Sequence, residues 1–176
     1  MIEIDDAGGG CFIGPEVLVI HKLENGAVRY LYIPPQVQER IQYAAKILSE
    51  AFREMAVSEE EPIRLCRGEI FDQFQASLEE RGYQVVREKV SAETDCLAEQ
   101  RFLEILQSYG FPANLTLKDR NYQQFYQLVG CWYYSQGENR QRGIRKTRLR
   151  PPALPRKMGQ RFPNLAKLIL EEQAVG

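Results

Sequence analysis

The chain has 176 residues, of which 44% are hydrophobic and 27% are charged, and its formal net charge is −1. This composition is typical of a globular protein with a substantial core, and no apolar run approaches the roughly 18 residues of a membrane helix. The acidic, glycine-rich start is unlike a signal peptide, so the sequence predicts a cytoplasmic protein. Four scattered cysteines and one histidine offer little to a zinc site or a histidine-assisted nucleophile.

Three strands are predicted at the start of the chain. Residues 2–6 alternate apolar and acidic side chains at the strand period, and residues 17–22 and 27–33 are rich in β-branched and aromatic side chains. The Asn25-Gly26 pair between the second and third strands favours a hairpin turn. His21 lies in the second strand, where packing in the sheet is the favoured role over catalysis.

Helices and strands then alternate. Residues 36–55 carry apolar side chains at helical spacing, residues 62–66 form a short strand, and residues 69–81 form a helix that ends at Gly82. Residues 83–90 give another strand, and Ser91 or Thr94 caps a helix over residues 95–109. The resulting order, βββαβαβα, predicts an α/β protein with a mixed sheet: three antiparallel strands, followed by parallel strands joined by crossover helices.

The last part of the chain differs in composition. Residues 123–134 are predicted as a final helix, residues 137–162 are basic and rich in proline, and residues 164–172 form a short helix. From residue 139 onward ten Lys and Arg face two Glu, a net charge of +8, which leaves −9 on the rest of the chain. The sequence therefore predicts a domain over residues 1–136 and a basic arm over residues 137–176.

The most specific motif lies at the end of the first strand. Asp5 and Asp6 precede Ala7 and three glycines, and Gly14-Pro15 follows shortly. This segment resembles the opening of type 2 ribonucleases H, Asp-Glu-Ala-Gly-Arg-Gly followed by Gly-Pro, with Asp6 in place of Glu and Gly9 in place of Arg. The resemblance implies that the two acids bind catalytic metal ions. The predicted element order is likewise that of the ribonuclease H-like superfamily, which places its first metal ligand on the first strand.

A two-metal site needs carboxylates from separate elements that converge on one point. The candidates are Asp5 and Asp6, then Glu69 at the start of the second helix, and Asp95 or Glu99 on the third helix. The expected cofactor is Mg²⁺ or Mn²⁺, with the backbone of Gly8, Gly9 and Gly10 near the phosphate.

Structural roles compete with each of these assignments. Asp6 is equally suited to a turn in which it accepts backbone hydrogen bonds. Glu69, like Asp72, complements the dipole of a helix N-terminus. The alternative role of Asp95, Glu99 and Glu93 is that of solvated acids on the surface of the third helix. The choice between the two roles depends on whether Leu97, Phe102 and Ile105 form the buried stripe of that helix.

The basic arm predicts a nucleic-acid partner. Its phosphate-binding candidates precede the first proline of the arm: Arg140, Arg142, Arg145, Lys146, Arg148 and Arg150. Two functions follow, a metal-dependent nuclease or related phosphoryl-transfer enzyme, and a noncatalytic adaptor that binds nucleic acid or a protein through the arm. An enzyme that acts on small phosphorylated ligands through the glycine turn is a third possibility. Aromatic residues around position 126 suit either base stacking or helix packing.

Overall fold

The computed structural model describes residues 1–9, 15–35 and 37–108. The chain divides into two compact units, Met1–Gly9 with Pro15–Phe102, and Gly10–Gly14 with Leu103–Gly176. In the second unit only residues 103–108 are described. Gly10, the helix predicted at 123–134, the boundary at residue 136 and the whole basic arm lie outside the described residues, so these predictions stay predictions.

Five strands form one mixed sheet, which confirms the predicted α/β class. They are β1 (Ile2–Ala7), β2 (Glu16–Lys22), β3 (Ala27–Ile33), β4 (Ile63–Leu65) and β5 (Val85–Arg87). Their order across the sheet is β3-β2-β1-β4-β5. The pairs β1–β2 and β2–β3 are antiparallel, whereas β4 runs parallel to both β1 and β5.

Among the described residues, three α-helices accompany the sheet, α1 (Arg40–Glu54), α2 (Asp72–Glu80) and α3 (Ala92–Ser108), and a 3₁₀ turn (Glu69–Phe71) precedes α2. Several predicted boundaries were wrong. Helix α1 begins four residues later than predicted, after the Pro34-Pro35 pair, and α3 begins three residues earlier. Strands β4 and β5 are three residues each, shorter than predicted. Within the described ranges no helix has both the length and the apolar character needed to cross a membrane.

The two faces of the sheet have different chemistry because successive strand residues point to opposite sides. On one face Ile2 and Ile4 of β1 belong to the main hydrophobic core, together with buried side chains of α1 and α2. There the rings of Phe52 and Phe74 meet edge to face with centroids 5.0 Å apart. On the other face β1 presents Glu3, which is fully buried, and Asp5, which is 3% exposed. Strand β1 therefore carries apolar side chains on one side and buried acids on the other.

Helix α3 buries a stripe that shares only Phe102 with the one considered in the sequence. Thr94, Ala98 and Phe102 are almost fully buried, at 0 to 1% exposure, whereas Leu97 is only half-buried. Thr94 bonds to side chains of β1 and β2. Their spacing of i, i+4 and i+8 places the three side chains on one face of the helix, and the polar Thr94 at its start is bonded to the sheet.

Candidate metal centre

Asp5 is a buried acid at the end of β1. Its Oδ1 accepts a hydrogen bond from the backbone N–H of Asp6 at 2.9 Å, and its carboxylate is also hydrogen-bonded to the thiol of Cys66. Burial raises the pKa of Asp5, and the negative charges of Asp95 and Glu3 raise it further, against the lowering effect of the two hydrogen bonds. A nearby cation would offset this excess of negative charge.

Asp6 follows on the other face of β1 and is half-buried. Burial, together with the negative charges of Glu16 and Asp5, raises the pKa of Asp6 from 3.8 to about 7, although Arg40 and Arg87 act in the opposite direction. The turn role considered for Asp6 requires backbone hydrogen bonds to its carboxylate, and none is found among the described residues. The backbone N–H of Asp6 instead donates to Asp5.

The side chains of Asp5, Asp6 and Cys66 converge. One oxygen of each carboxylate and the Sγ of Cys66 all lie within 4.8 Å of one another. Gly68 makes room for this arrangement, since a Cβ at that position would lie 3.0 Å from Oδ1 of Asp6. Within the described part of the chain, this is the one group of three or more acidic, histidine or cysteine ligands with such spacing.

Cys66 is a member of this group that the sequence did not indicate. It directly follows β4, and its N–H donates to the carbonyl of Ile4 at 2.9 Å, so the parallel pairing of β1 and β4 brings it level with Asp5. The cysteine is half-buried. Burial and the neighbouring Asp5 raise the pKa of its thiol to about 12. The signal that sequence reasoning missed is the register between two parallel strands.

The remaining predicted ligands lie around this group and are not members of it. Asp95 is half-buried near the start of α3, and its charge raises the pKa of Asp5. Glu99 lies one turn further along α3 and is also half-buried. Glu69 is exposed at the start of the 3₁₀ turn, where its charge raises the pKa of Arg40. Asp72 is exposed and pairs with Arg87 at 3.2 Å.

A buried ion pair beside Asp6 joins two elements. Arg40 of α1 donates through Nε to Oε2 of Glu16 at 2.9 Å and through Nη2 to Oε1 at 2.5 Å. The Glu16 side chain is 2% exposed. The sequence assigned no role to either residue, because they are 24 positions apart and only the fold brings them together.

Packing explains two of the three glycines that were assigned to a phosphate site. Gly8 has a φ of +85°, and a Cβ there would lie 2.5 Å from the ring of Phe102. A Cβ at Gly9 would lie 2.5 Å from Oε1 of Glu16 and 3.0 Å from Nη2 of Arg40. Protein side chains therefore occupy the space beside both glycines. The phosphate role of Gly8, Gly9 and Gly10 stays a prediction.

The donor set fits a divalent cation in part. Two carboxylates within 4.8 Å, with their pKa values raised by burial and by neighbouring negative charges, are hard oxygen ligands of the kind that Mg²⁺ and Mn²⁺ prefer. The thiol of Cys66 is a softer donor, of a kind that suits Zn²⁺ more than Mg²⁺ or Mn²⁺, and with a pKa of about 12 it stays protonated at neutral pH. No protein-family model matches this chain, and a search of curated proteins finds no significant relative.

Proposed function

We propose that this chain has a ribonuclease H-like fold and is a metal-dependent nuclease, or a related phosphoryl-transfer enzyme, that acts on nucleic acid with Mg²⁺ or Mn²⁺. One observation carries the proposal. The carboxylates of Asp5 and Asp6, which the sequence motif singled out, converge within 4.8 Å of each other and of Cys66 at the end of the central strand.

The sheet topology supports the fold assignment. Strands β1, β2 and β3 form an antiparallel meander, and β4 and β5 extend the sheet in parallel from the opposite side of β1. That arrangement corresponds to the three antiparallel strands and the parallel strands of the ribonuclease H-like superfamily. It leaves β1 at the centre, with Asp5 and Asp6 at its carboxyl end.

The acids of the proposed site come from two elements, β1 and α3. Asp5 and Asp6 would hold the first cation, and Asp95, close enough to raise the pKa of Asp5, would approach from α3. A bound divalent cation would supply charge neutralisation and an activated water for attack on phosphorus. Without a cation, Asp6 has a pKa of about 7, so a large fraction of the molecules carry a proton on this carboxylate at neutral pH. Cation binding therefore requires release of that proton.

Metal binding tests the proposal directly. We expect the full chain to bind Mn²⁺, measured by electron paramagnetic resonance and calorimetry. Asp5→Asn and Asp6→Asn each remove a ligand, so each should weaken binding by more than the roughly 10- to 100-fold typical for loss of an outer-shell partner. Glu59→Gln, which removes an exposed acid far from β1 in sequence, is the matched control and should bind like the unaltered chain.

Cleavage assays complete this test. The chain should cut at least one of single-stranded DNA, duplex DNA, RNA or an RNA–DNA hybrid in Mn²⁺, and both Asp variants should lose that activity. An unaltered chain that binds no Mn²⁺ at millimolar concentration would contradict the metal site and with it the nuclease.

The exposed position of Glu69 favours the adaptor as the second candidate. This acid lies near Arg40 and is not a member of the Asp5, Asp6 and Cys66 group, whereas a two-metal enzyme needs several convergent carboxylates. An adaptor need not keep them convergent. Nucleic-acid binding without Mn²⁺ binding or cleavage would support the adaptor over the enzyme.

A further inference from the structure

We propose that Glu3 is a positioning residue that holds the first turn of α3 against the sheet and so keeps Asp95 beside Asp5. The proposal rests on the metal site described above. It concerns a polar network of five side chains, of which Glu3, His21 and Thr94 are buried and Arg64 and Ser91 are half-buried.

The carboxylate of Glu3 is the centre of this network. The residue is 0% exposed. Its Oε2 accepts hydrogen bonds from the backbone N–H of Ser91 at 3.0 Å, from the Ser91 hydroxyl at 2.5 Å and from the Thr94 hydroxyl at 2.6 Å. Its Oε1 accepts one from Nη1 of Arg64 at 2.6 Å. In each of these contacts Glu3 is the acceptor, and the guanidinium of Arg64 is one of the donors, so the carboxylate acts as an acceptor only.

The direction of each hydrogen bond follows from the number of protons. Since Glu3 only accepts in these contacts, the single hydroxyl proton of Thr94 goes to Glu3. The Thr94 oxygen therefore has to accept from Nδ1 of His21, which lies 2.9 Å away. His21 must carry a proton on Nδ1. The contacts form a directed series from His21 through Thr94 to Glu3.

This series ties three elements together at the start of α3. Glu3 is in β1, His21 is its antiparallel partner in β2, and Thr94 belongs to the first turn of α3. Asp95 directly follows Thr94, and its N–H donates to the carbonyl of Ser91 at 3.1 Å. Glu3 and Asp5 are two residues apart and face the same side of β1. Fixing Ser91 and Thr94 on Glu3 therefore sets where Asp95 lies relative to Asp5.

The network positions other residues and does not contact a substrate itself. Glu3 and Thr94 are fully buried and His21 is 2% exposed, so no ligand reaches them. Its effect on function passes through the position of Asp95, beside the direct effect of the Glu3 charge on Asp5. A purely structural role would change stability alone, whereas a positioning role changes the affinity of the metal site in a protein that stays folded.

The matched pair Thr94→Val and Thr94→Ser tests the proposal. Valine keeps the shape of threonine without the hydroxyl, and serine keeps the hydroxyl. At a temperature where circular dichroism shows both variants folded, Thr94→Val should weaken Mn²⁺ binding about tenfold, as loss of an outer-shell partner does. Thr94→Ser should restore it. Glu93→Gln, an exposed acid in the same helical turn, is the control and should bind like the unaltered chain.

Nitrogen-15 NMR supplies a second readout, because the chain has one histidine and its signals need no further assignment. The proposal expects Nδ1 of His21 to be protonated in the unaltered chain and in Thr94→Ser, with the proton exchanging faster or moving to Nε2 in Thr94→Val. If Thr94→Val does not fold, Ser91→Ala replaces it. That variant removes one donor to Glu3 and keeps the backbone bond, and it should weaken Mn²⁺ binding several-fold.

The outcomes separate the two proposals. Normal Mn²⁺ affinity in a folded Thr94→Val, or in Ser91→Ala where that replaces it, would overturn the positioning role and leave the metal site standing. A His21 with its proton only on Nε2 in the unaltered chain would overturn the directed network. An unaltered chain that binds no Mn²⁺ would overturn the proposed function, and the positioning role would fall with it.

Discussion

Asp6 lies among four charged side chains that pull its proton equilibrium in opposite directions. Burial is the largest cause of its raised pKa, the negative charges of Glu16 and Asp5 raise the pKa further, and Arg40 and Arg87 lower it. The net result is a pKa of about 7, so the folded protein binds a proton that the unfolded chain, with a pKa of 3.8, has already lost. A carboxylate in this condition destabilises the fold when it ionises.

The pH dependence of stability follows from this shift. Between about pH 4 and pH 7 the folded state holds one more proton at Asp6 than the unfolded state does, so the free energy of unfolding should fall as pH rises and level off above pH 7. The full effect is on the order of 4 kcal/mol. Asp6→Asn has no such proton and should be more stable than the unaltered chain at pH 8.

Urea denaturation between pH 4.5 and pH 8.5 measures this prediction. The difference in unfolding free energy between Asp6→Asn and the unaltered chain should grow with pH, whereas the difference for Glu59→Gln should stay flat. A constant difference for Asp6→Asn would show that Asp6 ionises in the folded protein as it does in the unfolded chain.

At the scale of elements, the Glu16–Arg40 pair connects β2 to α1 beside the candidate site. The Glu16 side chain is buried, and Arg40 is its bidentate partner. Removing one partner of a buried pair leaves an uncompensated charge, whereas removing both avoids that cost. Substitutions of this pair therefore test the attachment of α1 to β2 more specifically than the substitution of an apolar residue would.

A double-mutant cycle measures the pair. Arg40→Met should destabilise the protein by about 3 to 5 kcal/mol, and the double variant Arg40→Met with Glu16→Gln should lose less than the sum of the two single variants. Lys46→Met, at an exposed position of the same helix, should change stability by less than about 0.5 kcal/mol. Additive losses would mean that the two side chains do not interact in solution.

Element boundaries show where local patterns end and packing begins. The apolar spacing of the α1 segment predicted its helix correctly, but the helix begins only at Arg40. The stripe of α3 differed because Thr94, a polar residue, is buried by its bonds to Glu3 and His21. A pattern of apolar residues does not reveal a polar residue that is buried because its partners are on other strands.

At the scale of the whole molecule, the remaining prediction concerns the uneven distribution of charge along the sequence. The basic segment lies outside the described residues, and its role stays a prediction from the sequence. A variant of the full chain in which Arg140, Arg142, Arg145, Lys146, Arg148 and Arg150 are replaced by glutamine should bind nucleic acid more weakly. The slope of log affinity against log salt should become shallower by up to about 5, at about 0.9 per lost phosphate contact on duplex DNA.

The control for the arm neutralises three exposed basic residues of the body, Lys46, Arg53 and Arg67. It should bind nucleic acid with nearly the same salt slope as the unaltered chain. Equal slopes for the arm variant and the unaltered chain would show that the segment does not contact phosphate, and would assign its charge to another partner.

The sequence by itself determined the class of the fold and the first candidate ligands of the site. Alternation in β1, the Asn25-Gly26 hairpin and the helical spacing of α1 are local patterns, and each predicted its element because backbone geometry depends on near neighbours. The acids at the end of β1 were found from a motif of adjacent residues. Their role as ligands remains to be tested.

Only the tertiary structure decided which distant residues join them. Cys66 reaches Asp5 through the parallel pairing of β1 and β4, and Arg40 reaches Glu16 through the packing of α1. The fold also surrounded Glu3 with hydroxyl donors that are 88 and 91 positions away in the chain. These contacts depend on register and on helix docking, which are set by the burial of the whole core, and a single sequence contains no local signal for them.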